Sequence, residues 1–409
     1  MSRRLRGQPA LLVSIGAVLV TVVLTVGFLA VVSRPPAPRP RSRASLPPSP
    51  VASPTPDVPF TPLPGPTATV CVDVGRLPLD RRLEQLLIVS GVFSDLEASQ
   101  PLAREGVGGF VFFGQPKAGA AASIATGLAS LRAAAVAGGQ AVPWMSTDEE
   151  GGYIQRLAAV AGPLPSPRQM AASWTPAQVR TALAAHAQAL RALGIDMDLA
   201  PVLDVAPPGD TVADEADRAF SDTPAVVAAY GVAYAAGLRT GGVVAVVKHF
   251  PGLGHADANT DLAASTDPPL SGLEQNDLLP FEAAIGSGVR VVMMSHVRVP
   301  GLSGTQPASL APATYQLLRG TLHFTGVTMT DALDAEAITA AGYTQPGAVV
   351  AAIEAGADLA MVDSQEWQPA LTALRQAVAV GALRLAVVNA AVARILVTKG
   401  VGVCSGSTA

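Results

Sequence analysis

Eight short apolar runs, each followed by a longer Ala-rich segment, limit what this chain can fold into more than any other feature. The runs lie at 86–90, 109–113, 143–147, 196–200, 243–247, 290–295, 327–330 and 358–362. They are apolar nearly throughout rather than alternating, as suits strands buried on both faces. Helical segments lie between them, for example 176–193, 224–240 and 345–355. Each of these opens on a Pro or a small polar residue, as helix starts favour. Strands alternating with helices predict a parallel sheet. Eight such units over about 335 residues predict an α/β fold of the (β/α)8 TIM-barrel type across 70–405. An open doubly wound sheet is the alternative, but no GxGxxG or GxxxxGK[ST] loop supports a nucleotide-binding version of it.

What precedes the barrel has a different composition. Arg3, Arg4 and Arg6 sit in a short basic tail, 1–8, ahead of an uncharged apolar run at 9–32. That run exceeds the ~7–15 apolar residues of a cleavable signal core and matches the ~20 that span a bilayer. No A-x-A cleavage site follows it, so it reads as a transmembrane signal anchor. Arg34, Arg39, Arg41 and Arg43 follow the span. The basic bias that sets orientation is therefore nearly balanced. Segment 33–69 holds 13 Pro in 37 residues, too few apolar groups to bury a core and a composition that favours extended polyproline II. At ~3.1 Å per residue it reaches on the order of 100 Å, a spacer for a domain held away from a membrane. These features place the barrel outside the cytoplasm on a single-pass cell-membrane anchor. The two cysteines, Cys71 and Cys404, lie at the two ends of the barrel region. Outside the cytoplasm they are positioned to form a disulfide joining the ends; the alternative is two unrelated thiols.

In such a barrel the site lies at the carboxyl ends of the strands. There the chain places Asp148-Glu149-Glu150-Gly151-Gly152, Asp204, Lys248-His249-Phe250-Pro251-Gly252, Ser295-His296 and Thr330-Asp331. Only 14% of residues are charged, so this clustering at one rim points to an enzyme. A structural plug is the alternative for any one residue; five strand ends together disfavour it.

These segments resemble the single-domain β-N-acetylhexosaminidases of glycoside hydrolase family 3. The likeness covers nearly all of 78–398. It runs through GVGGFVFF (106–113), DEEGG (148–152) continuing to Gln155-Arg156-Leu157, and GIDMDLAPVLDV (194–205). It continues through Arg218-Ala219-Phe220, KHFPGLG (248–254), MMSH (293–296) and GVTMTDAL (326–333). The resemblance implies a retaining glycosidase with Asp331 as nucleophile, since a strand end fixes a carboxylate's aim at an anomeric carbon. The other reading of Asp331 is a helix N-cap. By the same resemblance Asp148, Arg156, Arg218, Lys248 and His249 bind the sugar. Arg156 and Arg218 also fit ion pairs that fix the rim loops. His296 is either a supporting group or a sugar contact. Glu150 is expected to be a structural partner, and Gly151 and Gly152 to permit a tight turn. His186 and His323 are expected on helical or loop surface.

One part of the family pattern is missing. Typical members carry Asp-Ser-His on the loop after KHFPG, and the His–Asp pair serves as acid and base. Aligned without gaps, this chain has Asn259-Thr260-Asp261. Three readings stay open. Asp261 is itself the acid, its pKa raised by loop closure and the nearby Asp331 charge; His255 with Asp257 forms a shifted dyad; or no residue replaces the pair. The loop resembles that of a subset of actinobacterial, surface-associated members.

The implied function is a retaining exo-β-N-acetylglucosaminidase that removes terminal N-acetylglucosamine from cell-wall or related glycans. The alternatives are a β-glucosidase-like member of the family and a catalytically impaired barrel that only binds glycan. No cofactor is expected, and no metal, because His/Cys clusters of ligand spacing are missing. Nor is a nucleic-acid partner expected at a net charge of −4 with no basic face. A monomer is expected.

Overall fold

The computed structural model describes residues 71–208 and 217–404. The tail, the apolar run at 9–32 and the Pro-rich segment 33–69 lie outside them, as do residues 70 and 405 at the limits of the predicted barrel. Among the described residues no helix is long and apolar enough to cross a membrane.

The described residues form ten strands: β1 Leu87–Val92, β2 Gly109–Phe113, β3 Trp144–Thr147, β4 Glu149–Gly151, β5 Ile154–Gln155, β6 Met197–Asp198, β7 Val244–Phe250, β8 Val291–Met294, β9 Val327–Ala332 and β10 Leu359–Val362. Eight close into a parallel barrel in the order β1-β10-β9-β8-β7-β6-β3-β2, while β4 and β5 form a separate antiparallel hairpin at its mouth. Every predicted run therefore contributes a barrel strand. Strands such as Val291–Met294 are buried at each residue, because helices outside and side chains within cover both faces.

The helices pack as their sequences direct. Pro176–Leu193 starts at a capping box, with Thr175 Oγ1 accepting from Gln178 N–H and the Gln178 side chain accepting from Thr175 N–H. It stops at Gly194, whose φ of 95° suits a residue without Cβ. Its buried stripe is Val179, Leu183, His186, Ala187, Leu190 and Leu193, the spacing of one helical face. His186, expected on the surface, is thus buried. It lies in the core and meets the Glu149 carboxylate at 3.0 Å. His323 does lie exposed.

The barrel's ends are joined. Val72 pairs with Val403 as a parallel bridge, Cys404 N–H donates to Val72 C=O at 3.0 Å, and a disulfide links Cys71 to Cys404. Here the expected pairing is met.

Candidate active site

Asp331 is the next-to-last residue of β9. The first helix after it begins at Glu336 and is capped by Ala335, so Asp331 is not a helix N-cap. Its Oδ1 accepts from the Ala332 N–H at 2.9 Å, and its Oδ2 lies 4.0 Å from His249 Nε2. Burial works against its charge. His249, His296, Lys248 and the Ala332 N–H outweigh burial and hold the carboxyl below its ordinary value. The result is an ionised carboxylate with few hydrogen bonds, which is what a nucleophile requires.

A polar row stands beside it, built from the β3–β4 junction and the end of β7. Lys248 Nζ donates to Asp148 Oδ1 at 2.9 Å and meets Glu150 Oε1 at 2.7 Å. Arg218 donates through Nε and Nη2 to the two Glu150 oxygens, both at 2.8 Å. Burial favours the neutral acid at Glu150, but Arg218 and Lys248 overcome this and hold it ionised. Arg156 reaches Asp148 Oδ2 at 3.7 Å and lies over the Phe113 ring at 5.8 Å from its centroid. Arg218 thus braces the hairpin that carries Glu150, as the ion-pair reading has it. Asp148, Arg156 and Lys248 keep looser or shared contacts at the mouth.

The hairpin that carries Glu150 is held from below. Glu149 is fully buried; its carboxylate accepts from Leu157 N–H and Gln155 Nε2, and Tyr234 donates to its carbonyl. Gly151 and Gly152 turn the chain at φ 100° and 59°, and a Cβ on Gly151 would lie 2.2 Å from the Pro165 oxygen. His296 proves to be a supporting group: Nε2 bonds the Ala332 carbonyl at 2.8 Å and Nδ1 the Ser309 hydroxyl at 2.7 Å. It fixes the backbone just past Asp331.

The loop after β7 brings Asp261 to the same mouth. Asn259 Oδ1 accepts from the Asp261 N–H at 2.9 Å, a local turn that shapes the loop. The carbonyls of Thr260 and Asp261 accept from Ala337 and Glu336 N–H, at 3.0 and 3.3 Å. These are donors that the first turn of a helix leaves unpaired. The loop is thereby docked on the segment that follows Asp331. Burial against the rim, then the Asp331 charge, raises the Asp261 carboxyl above its ordinary value. Asp261 is nonetheless exposed to solvent in this open arrangement, which damps the shift.

The His255–Asp257 dyad, one of the three open readings, finds no support in the contacts of its two members. His255 Nδ1 faces Asp277 Oδ1 at 3.4 Å, whereas Asp257 Oδ1 accepts from Thr266 N–H at 2.7 Å and Ser265 Oγ at 3.1 Å. Asp257 is spent on closing its own loop. A carboxylate–imidazole pair does exist at the mouth, between two rim residues that the sequence gave no reason to pair: Asp204 Oδ2 accepts from His249 Nδ1 at 2.6 Å. Among the described residues no group of three or more His, Cys, Asp or Glu is arranged to hold a metal ion.

Known proteins share this arrangement of elements. The family described as "Glycosyl hydrolase family 3 N terminal domain" matches residues 78–398. The beta-hexosaminidase LpqI of Mycobacterium tuberculosis is 40% identical over 274 residues, covering 65% of this chain and 70% of that protein. A glycosyl hydrolase of the same family from Mycobacterium smegmatis superposes with a TM-score of 0.73 at 36% identity, over 79% of this chain and 98% of the other. A family 3 β-N-acetylglucosaminidase from a Paenibacillus species gives a TM-score of 0.73 at 31% identity, over 81% of this chain and 65% of that one.

Proposed function

Because the chain belongs to glycosyl hydrolase family 3, we propose that it is a retaining exo-β-N-acetylglucosaminidase in which Asp331 is the nucleophile and Asp261 the acid and base. One observation carries this reading: backbone bonds dock the Asp261 loop on the segment that follows Asp331, which sets two carboxyls at one barrel mouth, Asp331 held toward the charged form and Asp261 drawn toward the neutral form. That split is the division of labour a retaining glycosidase needs.

Asp331 attacks the anomeric carbon as the bond to the leaving oxygen breaks. Asp261 gives that oxygen its proton and becomes a carboxylate. A water then attacks the glycosyl–Asp331 ester, Asp261 takes the water's proton, and Asp331 is released as carboxylate. Asp148, Lys248, Arg156 and His249 offer acceptors and donors for sugar hydroxyls. The names of the relatives support N-acetylglucosamine as the sugar. Cell-wall glycan is the proposed source. The barrel is proposed to stand outside the cytoplasm on the 9–32 anchor; the Cys71–Cys404 disulfide supports that placement, since such bonds persist in oxidising compartments.

The test is turnover of an aryl β-N-acetylglucosaminide beside the matching β-glucoside. Hydrolysis of the first with net retention, lost in Asp331→Asn, is the expected result. Sugar binding without turnover by the folded wild type would turn the reading to a glycan-binding barrel.

A further inference from the structure

The Asp204 carboxylate is 1% exposed and grips a single residue twice: Oδ2 meets His249 Nδ1 at 2.6 Å and Oδ1 accepts the His249 backbone N–H at 3.2 Å. Three backbone features hold the two residues in register. Val202 bridges Lys248, Leu203 N–H donates to Lys248 C=O at 2.6 Å, and Lys248 N–H donates to Pro201 C=O at 3.2 Å. The KHFPGLG loop folds back over this segment so closely that a Cβ on Gly254 would lie 1.9 Å from the Val205 oxygen. The carboxylate and the ring therefore have little freedom to part. On the ring's far side Nε2 lies 4.0 Å from Asp331 Oδ2. That gap is longer than a direct hydrogen bond and leaves Nε2 available to a third group.

We propose that Asp204 is a positioning residue of the catalytic site: it keeps a proton on His249 Nδ1, so that Nε2 is the atom offered to the substrate beside Asp331. An ionised carboxylate only accepts hydrogen bonds, so Nδ1 must be the donor. Nε2 then donates when the ring is charged and accepts from a sugar hydroxyl when it is neutral. A ring with its proton on Nε2 offers the substrate a donor alone. The second carboxylate oxygen, bound to the backbone N–H of the same residue, stops Asp204 from rotating out of this role.

The proposal rests on the hydrolase reading, and its first measurement does not depend on activity. The 15N spectrum of histidine-labelled protein, with the His249 signals assigned by their loss in His249→Gln, reports which nitrogen of the neutral ring carries the proton. The wild type is expected to show Nδ1–H. In Asp204→Asn the amide oxygen can keep the backbone contact while its NH2 faces Nδ1, so the proton should move to Nε2. The kcat/KM of that variant should fall roughly 10- to 100-fold, the range for one buried hydrogen-bond group left unmatched. Across mono-deoxy glycosides, one deoxy position should cost the wild type the same factor while costing Asp204→Asn nothing further. An Nε2–H ring in the wild type would overturn the proposal. So would a shifted proton with wild-type kcat/KM, or an activity loss that only follows the fraction folded and is equal for every deoxy substrate. If the wild type hydrolyses nothing, the function reading fails while the ring spectrum still decides the role of Asp204.

Discussion

The two ends of the barrel differ in the carboxylates they leave short of partners. At the amino end Asp358 is fully buried, and its oxygens accept from Arg394 at 2.7 and 2.9 Å, from Arg319 at 2.7 Å and from Thr328 N–H at 2.9 Å. Asp196 at the same end is held by Arg132, Arg191 and Met145 N–H. At the carboxyl end Asp331 has one short hydrogen bond, Asp198 Oδ2 has none, and neither oxygen of Asp267 has one. Buried polar groups are ordinarily satisfied. Glu149, Glu150 and Asp204 at the carboxyl end are bonded as fully as Asp358, so the contrast lies in Asp331, Asp198 and Asp267, whose sparsely bonded oxygens gather at the end kept for substrate.

The largest effect should separate the ends by kind. Asp331→Asn is expected to lower kcat by roughly 10⁴-fold or more, the scale seen when a nucleophile is removed, while thermal unfolding stays close to wild type. Steady-state kinetics and a melting curve on one preparation check both halves. A variant that lost activity and stability together would give Asp331 the same role as Asp358.

Much of this contrast is legible in the sequence, and the rest has an identifiable cause. Asp148, Lys248, His249 and Asp331 follow apolar strands in a chain poor in charge, so a strand reading puts them on one rim. The partners across strands are not legible in that way. Asp204 meets His249 because β6 lies beside β7 and Val202 falls opposite Lys248, a register that chain order does not state. His255 faces Asp277, 22 positions on, rather than its near neighbour Asp257, which loop closure had already engaged. His186 was open to a better reading, since Val179, Leu183, His186 and Leu190 share one helical face; its polarity hid that.

Asp261→Ala comes next. General acid catalysis supplies about 10²–10⁴-fold, so kcat/KM on a disaccharide should fall by that range. An activated aryl glycoside, which needs no proton on departure, should keep its kcat/KM. The pH profile gives a second readout. Asp331 must be charged and sits below its ordinary value, so it sets the acid limb. Asp261 must be protonated and sits above its ordinary value, so it sets the basic limb, which Asp261→Ala should erase. Equal loss on both leaving groups would leave the missing pair unreplaced.

At the amino end Asp358→Ala should cost about 3 kcal/mol, because half-buried Arg319 and Arg394 would lose their counter-charge and the buried Thr328 N–H its acceptor. Chemical denaturation measures it, and kcat of the folded fraction should be unchanged. A variant that folded as well as wild type would mean that the satisfied end contributes little to stability.

The last test asks whether the sparsely bonded carboxyls are held at a cost to stability. Asp267 is 3% exposed, and burial, with the Asp277 charge next, pushes its carboxyl up to about 8. In the unfolded chain it ionises near 3.8. Between those values the folded state holds the extra proton, so its contribution to stability is full at low pH and is lost as pH rises toward 8. Asp267→Asn cannot ionise and avoids this loss. The variant should gain on wild type steadily as pH rises from 5 to 8 and level off above, by no more than about 4 kcal/mol at roughly 1.4 kcal/mol per unit. Equal melting temperatures across that range would mean that water or loop motion solvates Asp267, and the contrast between the ends would then rest on Asp331 and Asp198 alone.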